Sequence, residues 1–131
     1  MQHRAANELT AGEYAKLRQG QGRGRNWMPR RPAAERTEDG IAFSSKAELK
    51  RYRELKAMRS VGEILWFCRQ PTFDLGGVRY RPDFLVYWPE AGAIVEEVKG
   101  KGAPPEVIRR FRRNAKQMLH LLGIEVELVL R

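Results

Sequence analysis

The chain has few of the residues on which several common kinds of site depend. Its 131 residues include one cysteine, Cys68, and two histidines, His3 and His120. A single cysteine excludes a disulfide framework, and the shortage of both residue types argues against a zinc site or a Ser-His-Asp triad. Because Cys68 follows the apolar run of residues 64–67, we expect it to be a small core residue.

Long apolar segments are also missing. No stretch approaches the roughly 18 residues that a membrane span needs, and the N-terminus has no apolar segment of the signal-peptide type. We therefore expect a protein of the reducing cytoplasm that has no membrane partner.

Acidic residues are outnumbered by basic ones. The chain has 25 Lys and Arg against 16 Asp and Glu, which gives a net charge of +9. With 42% hydrophobic residues it can bury a core, so we expect a basic folded protein instead of a disordered one. Such a protein favours a polyanionic partner, most often nucleic acid, although a merely soluble basic protein has the same charge.

Composition divides the chain into a basic extension over residues 1–40 and a folded domain over residues 41–131. The first half of the extension favours a short helix, and the second half, rich in Gly, Arg and Pro, is predicted to be a linker. Arg23 and Arg25 in this linker either form an arm on a phosphate backbone or belong to a plain disordered tail. The total length suits one folded domain.

Periodicity and turn signals predict the element order α-β-β-β-α-β. The first helix is predicted to begin after Ser45 as its N-cap and to end near Ser60, and the second covers about residues 105–121. The fold class is therefore α/β, with a mixed sheet of four to five strands flanked by helices. The predicted extended segments are about 64–70, 78–80, 83–88, 93–99 and 124–130, with Leu128 and Leu130 facing inward in the last.

Carboxylates and a lysine come together on three of these elements. Strand alternation puts Glu97 and Lys99 on one face and Glu96 on the other, and the adjacent strand could hold Asp83 beside Glu97. Glu48 faces inward with the apolar stripe of the first helix. Two buried carboxylates are costly unless a cation compensates them, and Mg²⁺ needs only one or two carboxylates. The pattern therefore favours metal-assisted phosphodiester hydrolysis, with Lys99 holding water or phosphate.

Each of these residues also has a plainer interpretation. Glu48 can serve only as the glutamate of a capping box, and Asp83 as a turn residue. Glu97 and Lys99 can form a solvated ion pair on an edge strand. Gln70, before a proline, either satisfies backbone groups at a strand end or contacts metal-bound water or substrate.

In this order and on these elements, the residues resemble the PD-(D/E)XK nuclease superfamily. The match consists of Glu48 on the first helix, Pro82-Asp83 opening a strand, and Glu97-Val98-Lys99 on the next strand. The resemblance implies that Asp83 and Glu97, with the backbone carbonyl of Val98, bind Mg²⁺, for which Mn²⁺ can substitute. It also implies that Lys99 assists the attacking water and that Glu48 helps to hold the metal or orient the site, so that Glu48, Asp83, Glu97 and Lys99 are the catalytic residues.

The likeness is closer still to small phage-encoded proteins of this superfamily that are similar to Holliday-junction resolvases. The counterparts here are the segments 43–48, 70–71 and 95–100, and the resemblance extends over about residues 41–131. It implies a Mg²⁺-dependent DNA endonuclease of a phage or prophage in a bacterial host cell, selective for branched or recombination DNA. A homodimer and phage recombination or packaging proteins are candidate partners.

Two other functions stay open. One is a non-catalytic nucleic-acid-binding protein on the same fold, and the other is a nuclease subunit of a larger transposition or packaging complex.

The second predicted helix carries a basic face. This face either lines a groove that leads DNA to the metal or is simply solvated, as charged helix faces usually are. No helix-turn-helix or zinc finger pattern is present, which favours structure-selective cutting over sequence-specific cutting. The basic residues of the helix and the loop before it are Lys101, Arg109, Arg110, Arg112, Arg113 and Lys116.

Overall fold

The structure is a computed structural model that describes residues 33–131. The short helix predicted near the N-terminus, and the linker arginines Arg23 and Arg25, lie outside the described residues. Within the described part, no helix has the length and apolar character that crossing a membrane requires.

Two helices and eight strands make up residues 33–131, after a 3₁₀ turn over Ala33–Arg36. Helix α1 spans Lys46–Ser60 and helix α2 spans Pro105–Leu122. The strands are β1 (Thr37–Glu38), β2 (Ile41–Ala42), β3 (Trp66–Arg69), β4 (Phe73–Asp74), β5 (Arg79–Tyr80), β6 (Phe84–Trp88), β7 (Gly92–Lys99) and β8 (Glu125–Leu130).

The central sheet has the strand order β3-β6-β7-β8, and the hairpins β1–β2 and β4–β5 form separate two-stranded sheets. Strand β6 is antiparallel to both of its neighbours, β3 and β7, whereas β7 and β8 are parallel. A parallel pair needs a crossover connection, and α2 provides it. The predicted α/β class is therefore confirmed: α1, the four central strands and α2 follow each other as α-β-β-β-α-β.

Apolar side chains pack on both faces of the central sheet. Alternation along β6 and β7 sends successive side chains to opposite faces, so α1 and α2 each cover one face. The cluster under α1 includes Phe43, Leu49, Leu55, Phe84, Val86, Val98 and Val129, and the cluster under α2 includes Leu75, Tyr80, Val95, Met118 and Val126.

The helix boundaries follow the predicted signals. The Ser45 hydroxyl oxygen accepts a hydrogen bond from the N–H of Glu48 at 3.1 Å, which caps α1. Helix α2 begins at Pro105, where the missing N–H costs nothing. It ends at Gly123, which adopts a left-handed backbone with φ of 66° that favours glycine.

The ordered domain begins earlier than residue 41. Residues 33–40, which composition assigns to the linker, form the 3₁₀ turn and the first strand of the hairpin β1–β2. The Asp39 carboxylate accepts hydrogen bonds from the Tyr52 hydroxyl at 2.7 Å and from Lys56 at 2.9 Å on α1. These partners are distant along the chain, so local composition does not reveal that residues 33–40 pack with the domain.

Two predictions of core residues are wrong. Cys68 is exposed, because it lies on the edge strand β3 while α2 packs against β8 at the other edge. Leu130 is 40% exposed, whereas Val126 and Val129 in the same strand are buried. Val126 packs in the cluster under α2 and Val129 in the cluster under α1. Strand β8 is therefore partly buried on both faces, so the alternation expected of a strand with one buried face does not apply to it.

Candidate active site

Asp83 lies immediately before β6, and two hydrogen bonds fix its position. Its backbone carbonyl accepts from the N–H of Gln70 at 2.8 Å, at the end of β3. Its carboxylate oxygen Oδ2 accepts from the N–H of Val98 at 2.7 Å. The aspartate is therefore held between two strands, with its carboxylate against the strand that carries Glu97 and Lys99.

The register of β6 and β7 explains how this carboxylate reaches β7. Continued beyond the last ladder pair, the register places Asp83 opposite Glu97 and Pro82 opposite Val98. Proline has no N–H, so Pro82 cannot donate to the Val98 carbonyl as a ladder partner would. The N–H and C=O of a strand residue point to the same side, and the N–H of Val98 points to the Asp83 carboxylate. The Val98 carbonyl therefore points toward Asp83 as well, as a metal ligand at this position requires.

The predicted acids and the lysine act on one another at this end of the sheet. Burial raises the pKa of Asp83 to about 6, and the charges of Glu48 and Glu97 act in the same direction. The Val98 hydrogen bond and the charge of Lys99 act against this rise. Glu48, Glu97 and Lys99 are therefore near enough to Asp83 for their charges to act on its carboxyl.

Glu48 combines the capping role and the site position. Its backbone N–H makes the capping hydrogen bond to Ser45, so the cap does not occupy the carboxylate. Glu48 is only 9% exposed, and its carboxylate accepts a hydrogen bond from the Ser44 hydroxyl. Besides burial, the charge of this carboxylate also acts to raise the pKa of Asp83. The side chain therefore remains able to serve the site.

Glu96 points to the opposite face of β7, as strand alternation predicts, and it is fully buried. It accepts two hydrogen bonds from Arg51 on α1, at 2.8 and 2.6 Å. Arg51 also binds Glu54 at 3.0 Å, and Glu54 in turn binds Arg131 at 2.9 Å. This group ties α1 to β7 one turn of helix after Glu48. A buried charge needs a partner, so a glutamate inside an apolar strand indicates that a positively charged side chain lies next to it.

Sequence patterns do not single out Tyr80, on β5, which belongs to the same end of the sheet. Tyr80 is 6% exposed, and its buried hydroxyl makes no hydrogen bond of normal geometry within residues 33–131. Burial raises the pKa of Tyr80 above its usual range, and the nearby charge of Glu97 adds to the effect, followed by that of Asp83. The hydroxyl is therefore close to the acids without being properly bonded to one.

Gln70, directly after β3, contacts both the backbone of Asp83 and the side chain of Arg81. Its backbone is left-handed, with φ of 47°, and its N–H donates to the Asp83 carbonyl. Its side-chain oxygen accepts from Arg81 at 2.8 Å. Gln70 therefore fixes the backbone from which the Asp83 carboxylate projects.

The basic residues of α2 are exposed along its length. None of them forms an ion pair with another residue in the described range, so their charges are available to a partner. Lys101, in the loop between β7 and α2, is also exposed. The exposed helix residues are Arg109, Arg110, Arg112, Arg113 and Lys116.

The acids fit a hard cation that keeps part of its water. Across residues 33–131, no group of three or more His, Cys, Asp or Glu side chains converges to hold a metal ion. Mg²⁺, however, is commonly held by one or two carboxylates and retains several waters. Asp83 and Glu97 with the Val98 carbonyl are sufficient for such a site, and the raised pKa of Asp83 indicates a carboxylate that lacks a full counter-charge.

The fold is an α/β fold, and at one end of its mixed sheet the charges of Glu48, Glu97 and Lys99 act on the carboxyl of Asp83. A family model described as a protein of unknown function (DUF1064) matches residues 31–122. The chain belongs to this family, and the match includes every candidate catalytic residue. No curated protein and no solved structure gives a significant match to the chain.

Proposed function

We propose that this protein is a metal-dependent DNA endonuclease that hydrolyses phosphodiester bonds with Mg²⁺, or with Mn²⁺ in its place. The observation that carries the proposal is the Asp83 carboxylate, held by the Val98 N–H and facing Glu97, with Glu48 and Lys99 acting on it. An acidic centre in a chain of net charge +9 suits the cutting of a polyanion. The residues also match the PD-(D/E)XK pattern.

Each residue then has a distinct task. Asp83 and Glu97, with the Val98 carbonyl, would hold the cation, which when bound lowers the pKa of a water and neutralises phosphate charge. Lys99, next along β7, would hold the attacking water or the scissile phosphate. Glu48, at the start of α1, would help to hold the cation or orient the site.

The exposed basic face of α2 supports DNA as the substrate. Lysine and arginine contacts to phosphates give affinity that does not depend on sequence and that falls as salt rises. Branched or recombination DNA of a phage or prophage is the substrate class that agrees with the resemblance. A homodimer, or an assembly with recombination or packaging proteins, would present such a face to both arms of a branch.

A cleavage panel tests the proposal. Linear duplex, single strand, flap and four-way junction are each incubated with the full chain and Mg²⁺, Mn²⁺ or a chelator. We expect cutting with either metal, none with the chelator, and preference for the branched substrates. Equal cutting of all four substrates would contradict the preference for branches.

Two variants locate the site within the same panel. Asp83→Asn and Lys99→Ala should abolish cleavage while DNA binding persists. Their matched controls are Glu90→Gln and Lys50→Ala, which change the same charges at exposed positions and should leave the rate unchanged. If Asp83→Asn cuts at the wild-type rate, the site is misassigned.

The panel also separates the two other functions. DNA binding that Mg²⁺ does not affect, with no cutting of any substrate, would favour a non-catalytic nucleic-acid-binding protein. Activity that appears only when a phage partner is added would favour a subunit of a transposition or packaging complex.

A further inference from the structure

The Tyr80 hydroxyl has no evident structural use. Its ring packs in the apolar cluster under α2 with Val95 and Met118, and a phenylalanine ring would fill the same space. The hydroxyl is buried without a properly formed hydrogen bond among the described residues. A buried hydroxyl in this state is unfavourable, because it has lost its hydrogen bonds to water without replacing them.

Glu97 lies on the face of β7 that carries the Tyr80 ring. Tyr80 packs in one cluster with Val95, and Val95 and Glu97, two residues apart on β7, point to the same face of the sheet. Besides burial, the charge of Glu97 also acts to raise the pKa of Tyr80. The phenol hydroxyl carries a proton and a carboxylate has only acceptor oxygens, so a hydrogen bond between the two is donated by Tyr80. Tyr80 stands on the separate hairpin β4–β5, so it approaches Glu97 from outside the central sheet.

We propose that Tyr80 is a positioning residue of the metal site, whose hydroxyl donates to the Glu97 carboxylate and orients it toward the cation. This inference rests on the proposed function, because the cation is that of the nuclease. A carboxylate has acceptor sites on both oxygens, so Glu97 can accept from Tyr80 and still hold Mg²⁺. Groups that orient a metal ligand in this way typically change metal affinity or activity by about 10- to 100-fold.

The test is Tyr80→Phe in the full chain, with Mg²⁺ alone as the first probe. We expect the Kd for Mg²⁺, measured by titration calorimetry, to rise about 10- to 100-fold. The Mg²⁺ concentration that half-saturates DNA cleavage should rise with it, while the rate at saturating Mg²⁺ changes less. Urea unfolding in chelator should show that the variant is folded, so that a change in Kd reports on the site and not on a loss of structure.

The matched control is Tyr87→Phe. Tyr87 stacks on Trp66 with ring centroids 5.2 Å apart, and Trp66 lies on the edge strand β3. Removing its hydroxyl makes the same chemical change outside the site and should leave the Kd for Mg²⁺ unchanged.

The outcomes separate this inference from the proposed function. If wild type binds Mg²⁺ and Tyr80→Phe binds it with the same Kd, the role of Tyr80 is refuted and the nuclease proposal stands. If wild type binds Mg²⁺ but cuts no DNA, the nuclease proposal fails and the Kd still decides the role of Tyr80. If wild type binds no Mg²⁺, both are overturned.

Discussion

Asp83→Asn should stabilise the metal-free protein at neutral pH. Burial, with the charges of Glu48 and Glu97, raises the pKa of Asp83 from 3.8 to about 6. The ionised carboxylate is therefore less favourable in the folded chain than in the unfolded one. Asparagine keeps the size of the side chain and an oxygen that can accept from the Val98 N–H, but it removes the charge.

The sign and the size follow from proton linkage. The neutral carboxyl of wild type contributes fully to stability below about pH 4, and this contribution is lost as the pH rises through about 6. A pKa about two higher in the folded state corresponds to at most ~3 kcal/mol. Because Asp83 is partly exposed, solvent screening reduces this to ~1–2 kcal/mol. In a domain of this size, ~1 kcal/mol changes Tm by ~4–8 °C.

The assay is thermal unfolding followed by circular dichroism in chelator, from pH 4 to pH 8. We expect Asp83→Asn to have a higher Tm than wild type at pH 7.5 and the same Tm near pH 4. Glu90→Gln, which makes a comparable change in an exposed turn, should match wild type throughout. Added Mg²⁺ should raise the Tm of wild type at pH 7.5 and that of Asp83→Asn much less.

Two results would refute this reasoning. An Asp83→Asn protein less stable than wild type at pH 7.5 would mean that the carboxylate is already compensated in the metal-free protein. An equal difference in Tm at pH 4 and pH 7.5 would mean that the effect of the substitution does not come from charge.

Two further predictions concern the ion pairs and the basic face. Arg51→Leu should destabilise the protein by ~3–5 kcal/mol in urea unfolding, because it leaves the fully buried Glu96 without its partner. An additional Glu96→Leu substitution should recover much of the lost stability, and no recovery would contradict this account. The double variant Arg112→Ala with Arg113→Ala should reduce the slope of log K for DNA binding against log salt by about 2, and an unchanged slope would mean that DNA lies elsewhere.

The elements, and the faces on which the candidate acids lie, could be predicted because their signals are local. Ser45 with Glu48, and Gly123 after α2, mark helix ends within a few residues. Period-two alternation separates Glu96 from Glu97. The Glu-x-Lys spacing then places Lys99 on the same side as Glu97.

What the sequence did not predict depends on partners that are distant along the chain. Asp39 is ordered by Tyr52 and Lys56, and only the folded chain brings them together. Cys68 belongs to an apolar run, but its burial depends on which strand α2 covers. Tyr80 reaches the acids from a hairpin whose placement no periodicity specifies.

Neighbouring glutamates on β7 are neutralised in different ways. Glu96 receives its positive charge from Arg51, within the chain itself, whatever the solution contains. Among residues 33–131, Glu97 on the other face forms no ion pair, although the half-buried Lys99 lies two residues along its own strand. Its charge and that of Glu48 both act on Asp83. Under the proposed function, one face of the strand has its counter-charge within the chain, while the other receives it from a cation in solution. Changes in divalent cation concentration should therefore alter the Asp83 end of the sheet while the packing of α1 on β7 stays constant.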